Sequence, residues 1–158
     1  MVTRPPALTI VSGGQTGADR AALDWAIAQG LPHGGHCPAG RKAEDGPLPK
    51  RYQLNETRST SYAHRTRLNV MESDATLILS HLPTPTGGTL LTLKHAEKLR
   101  KPHLLVTPEN REHAPPLLAE FLDRHKVRIL NVAGPRASTD PTIYRATYDL
   151  LQTLADTP

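Results

Sequence analysis

The sequence predicts an α/β protein of Rossmann-like type, an open and mostly parallel sheet with helices on both faces. Three observations carry that expectation. Short β-rich runs alternate with helical patterns along the chain. The run at 75–80, Ala-Thr-Leu-Ile-Leu-Ser, has no polar alternation, as a strand covered on both faces requires. A glycine-rich turn, Ser12-Gly-Gly-Gln-Thr-Gly-Ala-Asp-Arg20, leads directly from the first apolar run into a helical pattern.

The first strand falls in the apolar run 7–11, and a helix follows over 18–29, where Ala22, Trp25, Ala26 and Gln29 recur at helical spacing. Gly30 supplies its stop. After Pro32 the small-residue stretch 33–37 is the candidate second strand. A loop rich in Gly, Pro and charge spans 38–60, a length that usually marks a functional or mobile segment. Residues 61–73 read as a helix and 75–80 as the apolar strand. A turn at 83–89 precedes a helix marked by Leu90, Leu93, Ala96 and Leu99, which ends before Pro102. The next strand is 103–107. A helix around Leu117, Leu118, Phe121 and Leu122 leads to a strand at 127–132, and Asp140-Pro141 opens a last helix with Ile143, Ala146, Leu150 and Leu154 inward. Right-handed crossovers join such units. Ligands of open α/β sheets bind beyond the carboxyl ends of the strands, which directs attention to the loops after Val11, Cys37, Ser80, Thr107 and Val132.

With 158 residues, 37% of them hydrophobic, the expectation is a single domain over 1–158. Nineteen Lys and Arg against fifteen acids leave a formal charge of +4, which tolerates an anionic ligand. The basic residues are scattered and there is one Phe, so a nucleic-acid partner is not expected. The single cysteine, Cys37, excludes an intramolecular disulfide, and it reads as a buried small hydrophobe in preference to a reactive thiol. Without a signal-like apolar stretch at the start or a run near the ~20 residues that span a bilayer, the expected location is cytoplasmic, with no membrane partner.

The opening turn matches neither nucleotide signature. Against G-x-G-x-x-G it offers Ser12, Gly14 and Gly17, and it lacks the Lys of the Walker pattern. Glycines at a strand-to-helix turn still let backbone N–H groups and the positive helix end face an anion. The alternative is a capping box formed by Thr16 and Asp19, with no ligand at all. Asp19 would repel a phosphate unless Arg20 or Lys42 compensates, so it suits hydroxyls or a ring N–H. A second candidate is Cys37-Pro-Ala-Gly-Arg-Lys-Ala-Glu-Asp45, whose Arg41, Lys42, Glu44 and Asp45 fit a polar ligand or, equally, a solvated turn. A third, Thr84-Pro-Thr-Gly-Gly-Thr89, repeats the strand-to-helix geometry and could face the same crevice. Tyr62, Arg65 and Asn69 share one polar helix face, either solvent-exposed or, for Arg65, an anion contact. No H-E-x-x-H or G-x-S-x-G occurs, and His33, His36 and Cys37 lack a fourth metal ligand, so no metal site is expected.

Taken with Cys37-Pro to Glu44-Asp-Gly46, Arg65-Thr, Ser73-Asp-Ala-Thr-Leu-Ile-Leu79, Thr86-Gly-Gly-Thr89 and Asn131-Val-Ala-Gly-Pro135, the opening string resembles the molybdenum carrier family nearly end to end. That family is grouped with Rossmann-like proteins that include the lysine-decarboxylase-like "lonely guy" phosphoribohydrolases and the DNA-processing protein DprA. The resemblance implies a parallel sheet, a crevice for a nucleotide-like ligand and a homo-oligomer. The phosphoribohydrolase motif P-G-G-x-G-T-x-x-E places its Glu at Thr92, and His36 stands where an aromatic is expected.

The expected function is therefore a carrier or binding protein for a small phosphorylated heterocycle, with molybdenum cofactor as the named candidate ligand. Gly13, Gly14, Gly17, Gly87, Gly88 and Thr89 would meet the anion, Arg41 and Arg65 would add charge, and Asp19, Glu44 and Asp45 would read ligand donors. Gln15, Thr16 and Arg20 complete the expected ligand-binding set. The alternative is an enzyme cleaving the N-glycosidic bond of a nucleoside monophosphate, with Asp19 or Glu44 as its catalytic carboxylate. A nucleotide-sensing regulatory module is the third reading.

Overall fold

The computed structural model describes residues 8–156. Ala7, expected in the first apolar run, and the rest of the segment before Leu8 lie outside the described residues, as do 157–158. The elements follow in the order β1 (Thr9–Val11), α1 (Ala18–Ala28), β2 (His33–Gly34), β3 (His36–Cys37), β4 (Asn55–Glu56), α2 (Tyr62–Met71), β5 (Ala75–Leu79), α3 (Gly87–Lys98), β6 (His103–Val106), α4 (Ala114–Arg124), β7 (Ile129–Ala133) and α5 (Ile143–Asp156). A 3-10 turn at Arg111–His113 leads into α4. The main sheet is fully parallel with strand order β2-β1-β7-β5-β6. The last strand in sequence is thus the central one, and the carboxyl ends of β1, β7 and β5 lie side by side.

The two faces of the sheet differ in chemistry. Leu8, Ile10, Leu77, Leu79, Leu130 and Val132 join one apolar cluster with α1, α4 and α5, anchored by Trp25, Leu118 and Leu151. Strand alternation sends Thr76 and Asn131 to the opposite face, where Asn131 Nδ2 donates to Thr76 Oγ1 at 3.3 Å. There α2 and α3 pack together and bury Asn69, Thr89 and Thr92. A polar interior on that side leaves room for a polar ligand at the carboxyl end.

Several local expectations are corrected. The stretch 33–37 is two strands, not one. At Gly35 the chain turns with φ +120°, and β3 leaves the main sheet to pair with β4. The loop 38–60 packs a small core of its own, with Cys37, Ala43, Leu48, Tyr52 and Leu54 against Leu23 of α1. Helix α3 starts at Gly87 and buries Thr89, Thr92 and Ala96, whereas Leu90, Leu93 and Leu99 are only half-buried. The helix marked by Leu90, Leu93, Ala96 and Leu99 is present, and its inward line follows the polar side of the sheet. Leu117 of α4 is exposed, and Thr147 takes the buried place in α5 expected for Ala146.

A side chain at Gly35 has no room, because its Cβ would lie 2.3 Å from the Ser12 carbonyl oxygen. Gly35→Ala should therefore cost at least about 2 kcal/mol in urea unfolding. Gly30→Ala, left-handed at φ +69° but facing open space, should cost roughly 1 kcal/mol. Equal losses would contradict the close approach of Gly35 to Ser12.

Candidate functional site

The turn after β1 is held from inside. Ser12 Oγ donates to the Asp19 carbonyl at 2.9 Å and accepts from the Gly14 amide at 3.3 Å. The Asp19 carboxylate accepts from the Gln15 amide at 3.3 Å. The expected capping box does not form. Gly17 is the N-cap of α1 and makes no side-chain cap, while the first helical amide, of Ala18, donates to the Pro135 carbonyl at 3.2 Å. Thr16 is drawn off instead. Its hydroxyl bonds the Glu44 carboxylate and accepts from the Ala137 amide at 3.1 Å. The loop after β7 thus covers the start of α1.

Arg65 comes from α2, one turn before Asn69. It is only 7% exposed, which excludes the solvated-face reading. Its guanidinium donates to the Gly13 carbonyl and, through Nε, to Thr66 Oγ1 at 3.2 Å, and lies 3.7 Å from Asp19 Oδ2. Asn69 is spent on structure, accepting from the His36 amide at 2.8 Å and donating to its carbonyl at 3.0 Å. Burial pushes the Asp19 carboxyl up to about 6, against the opposing pull of Arg65, the Gln15 amide and Arg20.

Facing this turn is the start of α3. Thr86 makes no side-chain cap, so the amides of Gly87, Gly88 and Thr89 have no acceptor within the helix. Between the two turns lies a cavity of about 410 Å³. Gly13, Gln15, Asp19 and Arg65 line one wall, and Gly87, Gly88 and Thr89 line the other. Asn131 forms part of the lining from the central strand.

The remaining expected residues stand behind that wall. Gly14 and Gly17 shape the turn, backed by Leu48 and the Pro135 carbonyl respectively. Arg20 clasps the Gly14 carbonyl and Asp45, both Asp45 contacts being 3.0 Å. Arg41 is spent on the loop, donating to the carbonyls of Leu48, Pro49 and Tyr52. Glu44 accepts from the Ser138 amide and hydroxyl as well as from Thr16, and these bonds hold its carboxyl below the usual range. The Glu44 amide donates to Gln15 Oε1 at 2.9 Å.

Sequence reasoning passed over His81, Arg136 and Ser138, which also line the cavity. They follow β5 and β7, so the rule of carboxyl-end loops was the signal that could have found them. Tyr62 stands at the same lining beneath three cations. Lys42 Nζ, Arg65 and Arg136 lie 4.5, 5.2 and 5.4 Å from its ring centre. Cys37 is buried in the loop core, and burial raises its thiol. Among the described residues no group of three His, Cys, Asp or Glu side chains could hold a metal ion, and no helix is long and apolar enough to cross a membrane.

Known proteins match this arrangement over nearly the whole chain. The model of the circularly permutated YpsA SLOG family matches residues 10–155. The chain belongs to that family. A solved structure from Syntrophus aciditrophicus SB, described as a "Putative molybdenum carrier protein", is 48% identical with a TM-score of 0.90. The match covers 94% of this chain and 96% of that one. No curated protein matches. Membership of the permuted YpsA family bears out both the Rossmann-like fold and the resemblance to the molybdenum carriers.

The raised Asp19 carboxyl has a measurable consequence. Between the free value of 3.8 and about 6 the folded protein binds a proton that the unfolded chain does not, so this group stabilises the fold as pH falls through that window. Relative to Asp19→Asn, the wild type should gain stability between pH 7 and pH 4 in urea titrations. A difference independent of pH, or one of opposite sign, would show that Asp19 is not desolvated.

Proposed function

We propose that this member of the permuted YpsA family is a binding protein for a small phosphorylated heterocycle. The observation that carries the reading is one cavity shared by the uncapped start of α3 and the buried Gln15, Asp19 and Arg65. The amides of Gly87, Gly88 and Thr89 suit a phosphate, since they point outward from the positive end of the helix. A volume of about 410 Å³ is within the usual range for small-ligand pockets. Molybdenum cofactor, a pterin bearing a phosphate, is the candidate that the name of the Syntrophus protein supports.

A second reading has one observation in its favour. Asp19 is a buried carboxyl in the cavity with a pKa of about 6, suited to exchange a proton near neutrality. It could stabilise the sugar cation or activate the attacking water during N-glycosidic cleavage. Thr92 supports binding without that chemistry, because its hydroxyl is spent on the Gly88 carbonyl at 3.0 Å. Glu44 is similarly occupied by Thr16 and Ser138.

Thermal denaturation with molybdenum cofactor, nucleoside monophosphates, molybdate and inorganic phosphate tests the proposal. A phosphorylated heterocycle should raise the transition temperature, because it binds the folded state alone. Gly88→Asp should fold, since a Cβ there meets nothing within 4 Å, yet bind at least about tenfold more weakly because its carboxylate opposes the phosphate. No shift with any phosphorylated heterocycle would overturn the proposal. Release of free base that vanishes in Asp19→Asn would favour the hydrolase.

A further inference from the structure

The hydrogen-bond accounts of the buried cavity side chains are uneven. Asn69 uses both amide atoms on the backbone of His36. Thr92 donates to the Gly88 carbonyl, and Asn131 donates through Nδ2 to Thr76. Gln15 is different. Its Oε1 accepts from the amides of Thr16 and Glu44, at 3.0 and 2.9 Å. That fixes which way the side-chain amide points. Nε2 is consequently the unspent end, and it is buried with no partner among the described residues, although Gln15 is 5% exposed and lines the cavity. An unmet buried donor is costly unless something is meant to accept from it.

Asp19 is its complement. The carboxylate lines the same cavity and accepts from the Gln15 amide, and a carboxylate has about four lone-pair sites. It therefore retains capacity to accept. A fixed donor and an acceptor that line one cavity make a polar edge with a definite sense.

Building on the binding function proposed above, we propose that Gln15 and Asp19 read a cyclic-amide edge of the ligand ring. Gln15 Nε2 donates to the ring carbonyl, and the Asp19 carboxylate accepts from the neighbouring ring N–H and any exocyclic amine beside it. Guanine, hypoxanthine and pterin rings carry that edge. Adenine and cytosine carry the reverse, an amino group that would face Gln15 Nε2 and a ring lone pair that would face the carboxylate. Buried polar groups left unpaired by the wrong ring make such a site selective.

Titration calorimetry with GMP, IMP, a pterin phosphate, AMP and CMP decides the matter, because all five carry a phosphate. At least one cyclic-amide ligand should bind about tenfold or more tightly than both AMP and CMP. Equal binding, or preference for AMP or CMP, overturns this inference and leaves the binding function standing. No binding by any of the five overturns this inference, and no thermal shift with molybdenum cofactor besides overturns the binding function with it. Gln15→Glu keeps the acceptor for Thr16 and Glu44 but replaces the donor, and should weaken the preferred ligand at least about tenfold. Unchanged affinity in a folded Gln15→Glu protein would also overturn the assignment.

Discussion

The buried guanidinium of Arg65 is the constraint on which the site depends. It reaches from α2 across to the turn after β1, where it bonds the Gly13 carbonyl and stands 3.7 Å from Asp19. A buried charge must be paired and hydrogen-bonded to be tolerated, and losing one partner of such a pair costs about 3–5 kcal/mol. The pairing therefore fixes α2 against the first turn. Gly13 is a glycine for the same reason, since a Cβ there would lie 1.9 Å from the guanidinium. The rest of the wall follows from this contact, with Gln15 carried beside Asp19 and the start of α3 left opposite.

The charged loop after β3 has a supporting part. Its small core, packed on Leu23, brings Glu44 and Asp45 to the back of the turn. There Asp45 pairs with Arg20, and Glu44 ties the first turn to the loop after β7. The most concentrated run of charge in the sequence thus serves chiefly to hold other backbone in place. Cations do reach the cavity, through Arg65 and Arg136 around Tyr62.

Period and composition made the architecture legible. Within the run at 75–80, Ala75–Leu79 is a strand buried at every position, and Gly30 ends α1 with φ +69° as expected. Strand order was not legible, because nothing local marks 127–132 as the central strand. The split at Gly35 was hidden because its cause, contact with Ser12, is nonlocal. In the site, paired glycines at two strand-to-helix turns gave the two walls, since that signal is local backbone chemistry. The placement of Arg41, Glu44 and Asp45 depended on tertiary contacts that a charge pattern does not encode. Thr16 shows the limit most clearly. Its spacing to Asp19 satisfied a capping box, but a strand from the far end of the chain brought Pro135 and Ala137 to the helix start.

The central claim is that the turns at 13–19 and 87–89 are two walls of one ligand site. Amide chemical shifts followed by NMR during titration with a phosphorylated heterocycle test it most directly. The account predicts saturable shifts with a common midpoint at Gly13, Gln15, Gly87, Gly88 and Thr89, together with the Gln15 side-chain amide. Shifts centred on the loop around Arg41 and Asp45, or movement at one wall without the other, would contradict it.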